Sequence, residues 1–278
     1  MKKYLMLDVG GTNIKTAVLS PAGTVEARKD YPAHASQTRP VLVDHFDRII
    51  HEAKDEHPEI AGLGVAFPGP CDYEAGVPHL AKLGKYDALS GYPLKAHLEK
   101  AHQLPVRMGN DATLFGLGEA IFGEAKNYQK VMAITLGTGC GSAFIENQHP
   151  VTEPPLPENG WIYSQPFRDG IIDQYLSAGG LMNLNKDNQA TTGIGLAVLA
   201  GSGDRAAQRV FQEFGEMIAE ALTPFVETFE PDALIFGGQV AGSFSFFKQA
   251  LVEHFPETAL LKAKDTSIST MQALLHYF

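Results

Sequence analysis

One pattern occurs twice in this chain and restricts its folds more than any other feature. Residues 7–20 read LDVGGTNIKTAVLS and residues 131–147 read VMAITLGTGCGSAFIEN. Each is a strand-like apolar run, a turn of small residues and a second strand-like run. Gly137 follows Gly10 by 127 positions, so the pattern falls once in each half of the 278 residues. A single glycine-rich hairpin is common, but two in corresponding halves suggest a duplicated domain with a shared cleft. The glycines admit two readings. They supply the positive φ values that tight hairpins require. Alternatively, they let backbone N–H groups approach an anion with no Cβ in the way, while a carboxylate (Asp8) and a hydroxyl (Thr12) stand ready for a metal–phosphate complex.

Composition narrows the function classes. With 44% hydrophobic and 19% charged residues, the chain is an ordinary globular sequence of one large or two smaller domains. A net charge of −10 argues against sequence-independent nucleic-acid binding, which needs a basic footprint. Any phosphate ligand must then be held by local geometry. The opening MKKYLMLDVGG has two lysines and a short apolar run, but Gly10 and Gly11 cut it short and it reads as a first strand rather than a leader. No stretch approaches the roughly 18 apolar residues of a membrane span, so the expected location is cytoplasmic. Cys71 and Cys140 form neither a disulfide framework nor a metal-ligand set and read as reduced thiols.

Strands are expected at 4–9, 14–20 and 24–32, a helix at 40–56, and a buried strand at IAGLGVAF, stopped by PGP. A loop over 71–92 precedes a short helix with Pro93 at its start, where a missing N–H costs nothing. Strand VRM leads into a helix that begins at Asn110 and Asp111 and presents Leu114, Leu117, Ile121 and Phe122 on one face. Later, Ala207, Val210, Phe214, Met217, Ala221, Phe225 and Phe229 recur at helical spacing, with Pro224 as an expected kink. PDALIFGGQV reads as a strand ending in Gly237 and Gly238, followed by a helix capped by Ser243 and a terminal helix over 268–278. The Pro-rich stretch 146–170 is the least regular, and a connection of that length is usually functional or mobile.

Four elements then line up in order: DVGGTNIK, GND, GTGCG and FGG. This set resembles the ROK family of sugar kinases within the actin-like ATPase superfamily. The resemblance implies an α/β, two-lobed actin-like (ribonuclease H-like) ATPase fold with a cleft between the lobes. Residues 1–110 plus 266–278 would form the N-terminal lobe and residues 111–265 the C-terminal lobe. It also implies ATP and Mg2+ as cofactor and metal and a sugar as substrate. Gly10, Gly11, Gly137, Gly139 and Gly141 can offer backbone donors to phosphate oxygens, helped by the Thr12 and Thr138 hydroxyls and, by resemblance, Gly237 and Gly238. Asp8 suits magnesium, through water. Lys15 fits either a phosphate partner or an exposed strand lysine. Asp111 fits the general base that accepts the proton of a sugar hydroxyl, with Asn110 beside it at the sugar. The competing reading is that Asn110 or Asp111 only caps the helix.

The family's Glu-x-Gly-His sugar motif, whose histidine also ligates a structural zinc, is altered here to ENGW. Glu158 and Gly160 are kept, and Trp161 stands where histidine is expected. The cysteine cluster that would complete the zinc site is missing, so no zinc site is expected; His149 and His254 are isolated. Asp173 falls roughly where a second sugar-binding glutamate would be, one methylene shorter. Trp161 fits either a core anchor or a platform for a pyranose ring, and the Pro-rich loop would be held by Trp161, Ile162 and Tyr163. An aromatic at this position, without the cysteines, is similar to the family's β-glucoside kinases, which phosphorylate the primary hydroxyl of a non-reducing glucose. The leading expectation is an ATP-dependent kinase acting on a hexose, a hexose derivative or a β-glucoside. The rivals are a non-catalytic sugar sensor, since the family includes repressors with an N-terminal DNA-binding segment that is not seen ahead of this first strand, and an acyl-phosphate-forming kinase. Family members are often homodimers, but the sequence carries no interface signature.

Overall fold

The first three apolar runs form a meander. β1 (Lys3–Val9), β2 (Asn13–Leu19) and β3 (Val25–Pro32) pair antiparallel, with Asp8 directly opposite Lys15. β3 alternates between half-buried and exposed, as expected of an edge strand with one wet face. β4 (Ile60–Phe67) is buried along almost its whole length and joins β1 in parallel. The two-residue ladder of β5 (Cys71–Asp72) and β6 (Val77–Pro78) follows, and β7 (Val106–Asn110) adds in parallel to β4. The computed structural model describes residues 2–81, 84–186 and 189–278; Lys82 and Leu83, within the expected loop over 71–92, lie outside the described residues.

The second half builds the same sheet again. β8 (Lys130–Leu136), β9 (Cys140–Glu146) and β10 (His149–Pro150) pair antiparallel. After the small ladder of β11 (Pro166–Phe167) and β12 (Gly170–Ile171), β13 (Ala233–Gly237) joins β8 in parallel and β14 (Ala259–Lys262) joins β13. The sheet orders are β3-β2-β1-β4-β7 and β10-β9-β8-β13-β14. Leaving the two-residue ladders aside, the strands occur in the same order and in the same senses. The duplication read from two glycine turns is thus a duplication of whole sheets.

The chain divides into two compact units, residues 1–114 with 267–278 and residues 115–266. In the first, α1 (Arg39–Glu56) and α2 (Leu94–His102) lay Leu42, Phe46, Ile49, Leu94 and Leu98 against Leu5, Leu63 and Val65. α3 (Asp111–Ile121) follows β7. The second unit carries α4 (Ile172–Tyr175), α5 (Ala178–Leu184), α6 (Gly193–Gly201), α7 (Arg205–Phe229) and α8 (Phe244–His254). Its core joins Phe211, Phe214, Ile218 and Leu222 of α7 to Phe247 and Leu251 of α8 and to Ile134 and Phe236 of the sheet. α9 (Thr266–Leu274) ends the chain with a short 3-10 turn over Leu275–Tyr277, so the terminal helix starts earlier and stops sooner than its periodicity suggests. No described helix is long and apolar enough to cross a membrane.

Several local expectations change. Pro93 occupies the N-cap rather than the first helical position. α7 runs unbroken through Pro224. Ser243 sits at the N-cap of α8, but its side chain makes no capping bond, because a 3-10 turn over Val240–Ser243 already feeds the helix. α3 does not present one apolar face: residues 114–120 are all buried, including Glu119, while Phe122 is 40% exposed beyond the helix end. Seven consecutive buried positions leave no amphipathic stripe for a sequence to display.

Candidate active site

The first turn joins β1 to β2. Gly10 N–H donates to Asn13 O at 3.0 Å, which closes the turn, and the amides of Gly11 and Thr12 have no partner among the described residues. Neither Gly10 nor Gly11 has positive φ, so the turn does not use glycine for its handedness. A Cβ on Gly10 would meet Asn13 O at 3.0 Å, a tight contact that favours glycine. Among the described residues a Cβ on Gly11 would meet only Lys85 Cδ, at an ordinary 3.7 Å. Nothing among the described residues therefore requires glycine at position 11, which lies beside two amides with no described partner. Tyr86, fully buried, donates its hydroxyl to Gly10 O at 2.8 Å and fixes the turn from below. Burial, with the Asp8 charge adding to it, pushes the Tyr86 phenol well above its usual range, so it stays a donor.

The second turn joins β8 to β9. Gly137 N–H donates to Gly139 O at 2.9 Å and Gly141 N–H to Thr135 Oγ1 at 3.1 Å, so two of the glycine donors expected for phosphate are already engaged. Cys140 N–H donates to Asp173 Oδ1 at 2.7 Å. The amides of Thr138 and Gly139 remain without a partner among the described residues. No positive φ occurs here either. A Cβ on Gly137 would meet nothing within 4 Å, whereas one on Gly139 would come 2.5 Å from Asp173 Oδ1. Position 137, like position 11, is a glycine that the fold itself does not demand.

The end of β7 separates two roles that the sequence left merged. Asn110 is the helix cap: its Oδ1 accepts Thr113 N–H at 3.0 Å and the Thr113 hydroxyl at 3.2 Å, and its Nδ2 donates to Tyr73 Oη at 3.1 Å. Asp111 is thereby released from capping. Its Oδ1 accepts the adjacent Ala112 N–H, at 2.9 Å, and it forms no ion pair among the described residues. Desolvation raises its carboxyl pKa, partly opposed by the Ala112 amide and the Lys85 charge. A partly desolvated carboxylate with a raised pKa and no ion-pair partner is a stronger base than an exposed aspartate.

The ENGW loop is pinned by a residue the sequence reading passed over. Ser142, buried on β9, donates to Gly160 O at 2.7 Å and accepts Ile162 N–H at 2.9 Å. Ile162 is fully buried, but Tyr163 is 37% exposed, so the expected three-residue packing reduces to Ile162 with Ser142. Glu158 is exposed on a 3-10 turn. Trp161 is half-buried with its ring tilted against Tyr163 at 6.4 Å, and its indole Nε1–H is buried with no acceptor among the described residues. Such orphaned donors are rare and call for an explanation.

A profile of the ROK family matches residues 4–275, nearly the whole chain. The chain belongs to the ROK family. It is similar to the N-acetyl-D-glucosamine kinase of Salmonella heidelberg, 28% identical, with 94% of this chain and 91% of that one covered. Among solved structures it is similar to a ROK family glucokinase from Streptomyces griseus in complex with glucose and AMPPNP (TM-score 0.80, 21% identity, 98% of each chain). It is equally similar in fold to a ROK family transcriptional regulator described as a homologue of the E. coli MLC protein (TM-score 0.80, 14% identity, 99% of this chain and 78% of that one). The ROK fold alone thus accommodates both enzyme and regulator, and activity has to be argued from side chains.

Within this ROK framework some expected residues are placed otherwise. Lys15 shares a sheet face with Asp8, but its Nζ donates to Ser267 Oγ at 3.1 Å. Lys85, missed by the motif reading because it lies in a loop, is the cation that reaches Gly11 and bears on Asp111. Gly238 N–H is engaged by Thr266 Oγ1 at 2.9 Å, and with φ +86 and Leu136 O only 2.4 Å from its absent Cβ it serves close packing. Gly237 does the same, its Cβ position lying 2.6 Å from Phe115. Burial pushes the Cys71 thiol up to about 12, and burial with the Asp173 charge also raises Cys140, which disfavours the thiolate at both positions. Among the described residues no three His, Cys, Asp or Glu side chains gather as a metal cage. Magnesium asks for none, since one or two carboxylates plus phosphate oxygens and water satisfy it, and the half-buried Asp8 at the end of β1 is a donor of that hard-oxygen type.

Proposed function

We propose that this ROK protein is an ATP-dependent sugar kinase that phosphorylates a hydroxyl, the primary 6-hydroxyl in our reading, of a hexose, hexose derivative or β-glucoside. The observation that carries the reading is the division of labour at the end of β7, where Asn110 caps the helix and leaves Asp111 free for chemistry. A lone pair of the sugar hydroxyl oxygen attacks the γ-phosphorus, the bond to the β–γ bridging oxygen breaks, and ADP leaves. The hydroxyl proton passes to Asp111, whose raised pKa suits it to receive one. The paired free amides at Gly11–Thr12 and Thr138–Gly139 hold phosphate oxygens, and Lys85 supplies a positive charge near the first pair. Asp8 would hold magnesium, which would supply neutralisation of phosphate charge.

Trp161 and Glu158 face the sugar in this reading. The orphaned indole N–H donates to a sugar oxygen and the ring packs on a pyranose face. A glutamate and an aromatic in place of glutamate and histidine make fewer polar demands on the substrate, which favours acceptors carrying a substituent. A second reading, a sugar sensor without activity, draws on the same altered loop and on the regulator that shares the fold. A coupled ADP-release screen over glucose, mannose, N-acetylated hexosamines and β-linked disaccharides separates the two. Sugar-dependent ADP release supports the kinase. Sugar binding by calorimetry with no ADP release from any acceptor sinks it in favour of the sensor.

A further inference from the structure

The geometry points to Asp173 as a positioning residue that holds the Gly137–Cys140 turn in the shape that presents its free amides. The inference rests on reading that turn as a phosphate site. Asp173 stands at the start of α4, and its Oδ1 accepts Cys140 N–H at 2.7 Å, a short, charge-assisted bond. Five residues on, Ala178 N–H donates to Gly137 O at 2.7 Å. The segment 173–178 therefore grips the turn at both ends, by an amide on one side and a carbonyl on the other. The segment is itself tied down, since Asp173 N–H donates to Tyr163 O at 2.9 Å.

Gly139 makes the arrangement possible. Any side chain there would bring its Cβ to 2.5 Å from the carboxylate oxygen, so the glycine is the socket into which Asp173 fits. With Gly137 closed on Gly139 O, Gly141 on Thr135 and Cys140 on Asp173, the amides left over are those of Thr138 and Gly139. Asp173 selects which donors face a ligand by removing Cys140 from the set. An acid bound into the turn in this way has one oxygen committed to backbone. Because the same segment carries the backbone bond to Tyr163, the turn is also coupled to the loop that bears Trp161.

The test uses the full chain with Mg2+ and AMPPNP, and four proteins: the parent, Asp173→Ala, Asp173→Asn and Gly139→Ala. An asparagine keeps an acceptor for Cys140 N–H and removes only the charge. Loss of a hydrogen bond to a charged group predicts an about tenfold or larger weakening of AMPPNP binding in Asp173→Ala. Gly139→Ala, which expels the carboxylate, should match it, and Asp173→Asn should stay within about threefold of the parent. In steady state the loss should fall on KM for ATP, with KM for the sugar unchanged. Hydrogen exchange at the Cys140 amide should accelerate in Asp173→Ala and Gly139→Ala but not in Asp173→Asn. AMPPNP affinity unchanged in Asp173→Ala, or a loss confined to KM for the sugar, overturns the proposal. If Asp173→Ala does not fold, Gly139→Ala against Asp173→Asn decides the question by the same readouts. A parent that binds no AMPPNP refutes the phosphate-site reading instead, and the exchange of Cys140 then still reports whether the tether exists.

Discussion

The two glycine turns sit at the same place in two sheets of the same topology, yet they are braced differently, one by a single side-chain donor and the other by a carboxylate and a backbone amide. The β1–β2 turn is held by its carbonyl, through Tyr86 on Gly10 O, and has a carboxylate on its own strand and a lysine over its glycine. The β8–β9 turn is held at both ends, by Asp173 on Cys140 N–H and by Ala178 N–H on Gly137 O, and has no charged residue in its own sequence. Both end with two adjacent free amides. Backbone donors came with the duplicated hairpin, while charge was distributed unevenly: Asp8, Lys85 and Asp111 all belong to the first unit. In our reading the first unit carries the charges that act on the reaction, and the second contributes neutral donors that hold phosphate.

The sharpest way to break this asymmetry is at Asp111. Asp111→Asn should lower turnover by at least about 10²-fold, the usual scale for losing a general base, while leaving AMPPNP and sugar affinity near the parent value. The same change should raise Tm at neutral pH. The folded-state pKa of Asp111 lies above its unfolded value, so its protonated form favours the fold and that contribution is lost as pH rises through the folded pKa. The gain in Tm over the parent should therefore shrink as pH falls from the raised folded-state pKa toward the ordinary aspartate range, and be gone below that range. Calorimetric scans across pH and single-turnover rates check both halves, and a variant that is slower but no more stable would separate the two claims.

Asp8→Ala comes next in size. It should raise the magnesium concentration needed for half-maximal activity and weaken nucleotide binding by roughly tenfold, on the scale of one charge-assisted contact. No residue of the second turn should show a comparable magnesium dependence, which titration of Thr138→Ala would test. Smaller still are the glycines. At positions 11 and 137 alanine meets no obstacle within the fold, so Gly11→Ala and Gly137→Ala should leave Tm unchanged or slightly higher, by up to about 1 kcal/mol in stability, yet raise KM for ATP severalfold. Gly238→Ala should do the reverse: with positive φ and backbone 2.4 Å from the new Cβ, it should lower stability. If Gly137→Ala instead lowers Tm as much as Gly238→Ala does, the open space at that turn has been misread. The smallest expected effect is that of zinc. Purified untagged protein should contain far less than one zinc per chain by elemental analysis, and chelation followed by added magnesium should restore full activity.

Much was legible in the sequence because it was local. Strand–turn–strand periodicity and the stop at PGP sufficed to place the first strands, whose β1, β2 and β4 bounds follow the apolar runs closely, and the resemblance of the ordered small-residue motifs to the ROK family supplied the expectation of its α/β fold. The roles of individual site residues were less accessible. Which of Asn110 and Asp111 caps α3 depends on the backbone angle at which β7 enters the helix, and both residue types cap equally well. Lys15 had the motif but Ser267, 252 positions away, has its ammonium; Lys85 had no motif but has the position. Ser142, Tyr86 and Asp173 act through hydrogen bonds to backbone of distant segments, and no spacing rule encodes a backbone partner.

By itself, then, the sequence determined that there are two sheets with a glycine turn each, because alternation and small-residue punctuation are properties of neighbouring residues. Only the tertiary structure decided what the glycines are for. Their φ values rule out a need for left-handed backbone, the contact that would meet a Cβ explains Gly10 and Gly139, and the empty space at Gly11 and Gly137 is visible only once the rest of the chain has folded around them. Physically, a residue's conformational preference is intrinsic to it, whereas the room beside it and the partner of its amide belong to whatever the fold brings near.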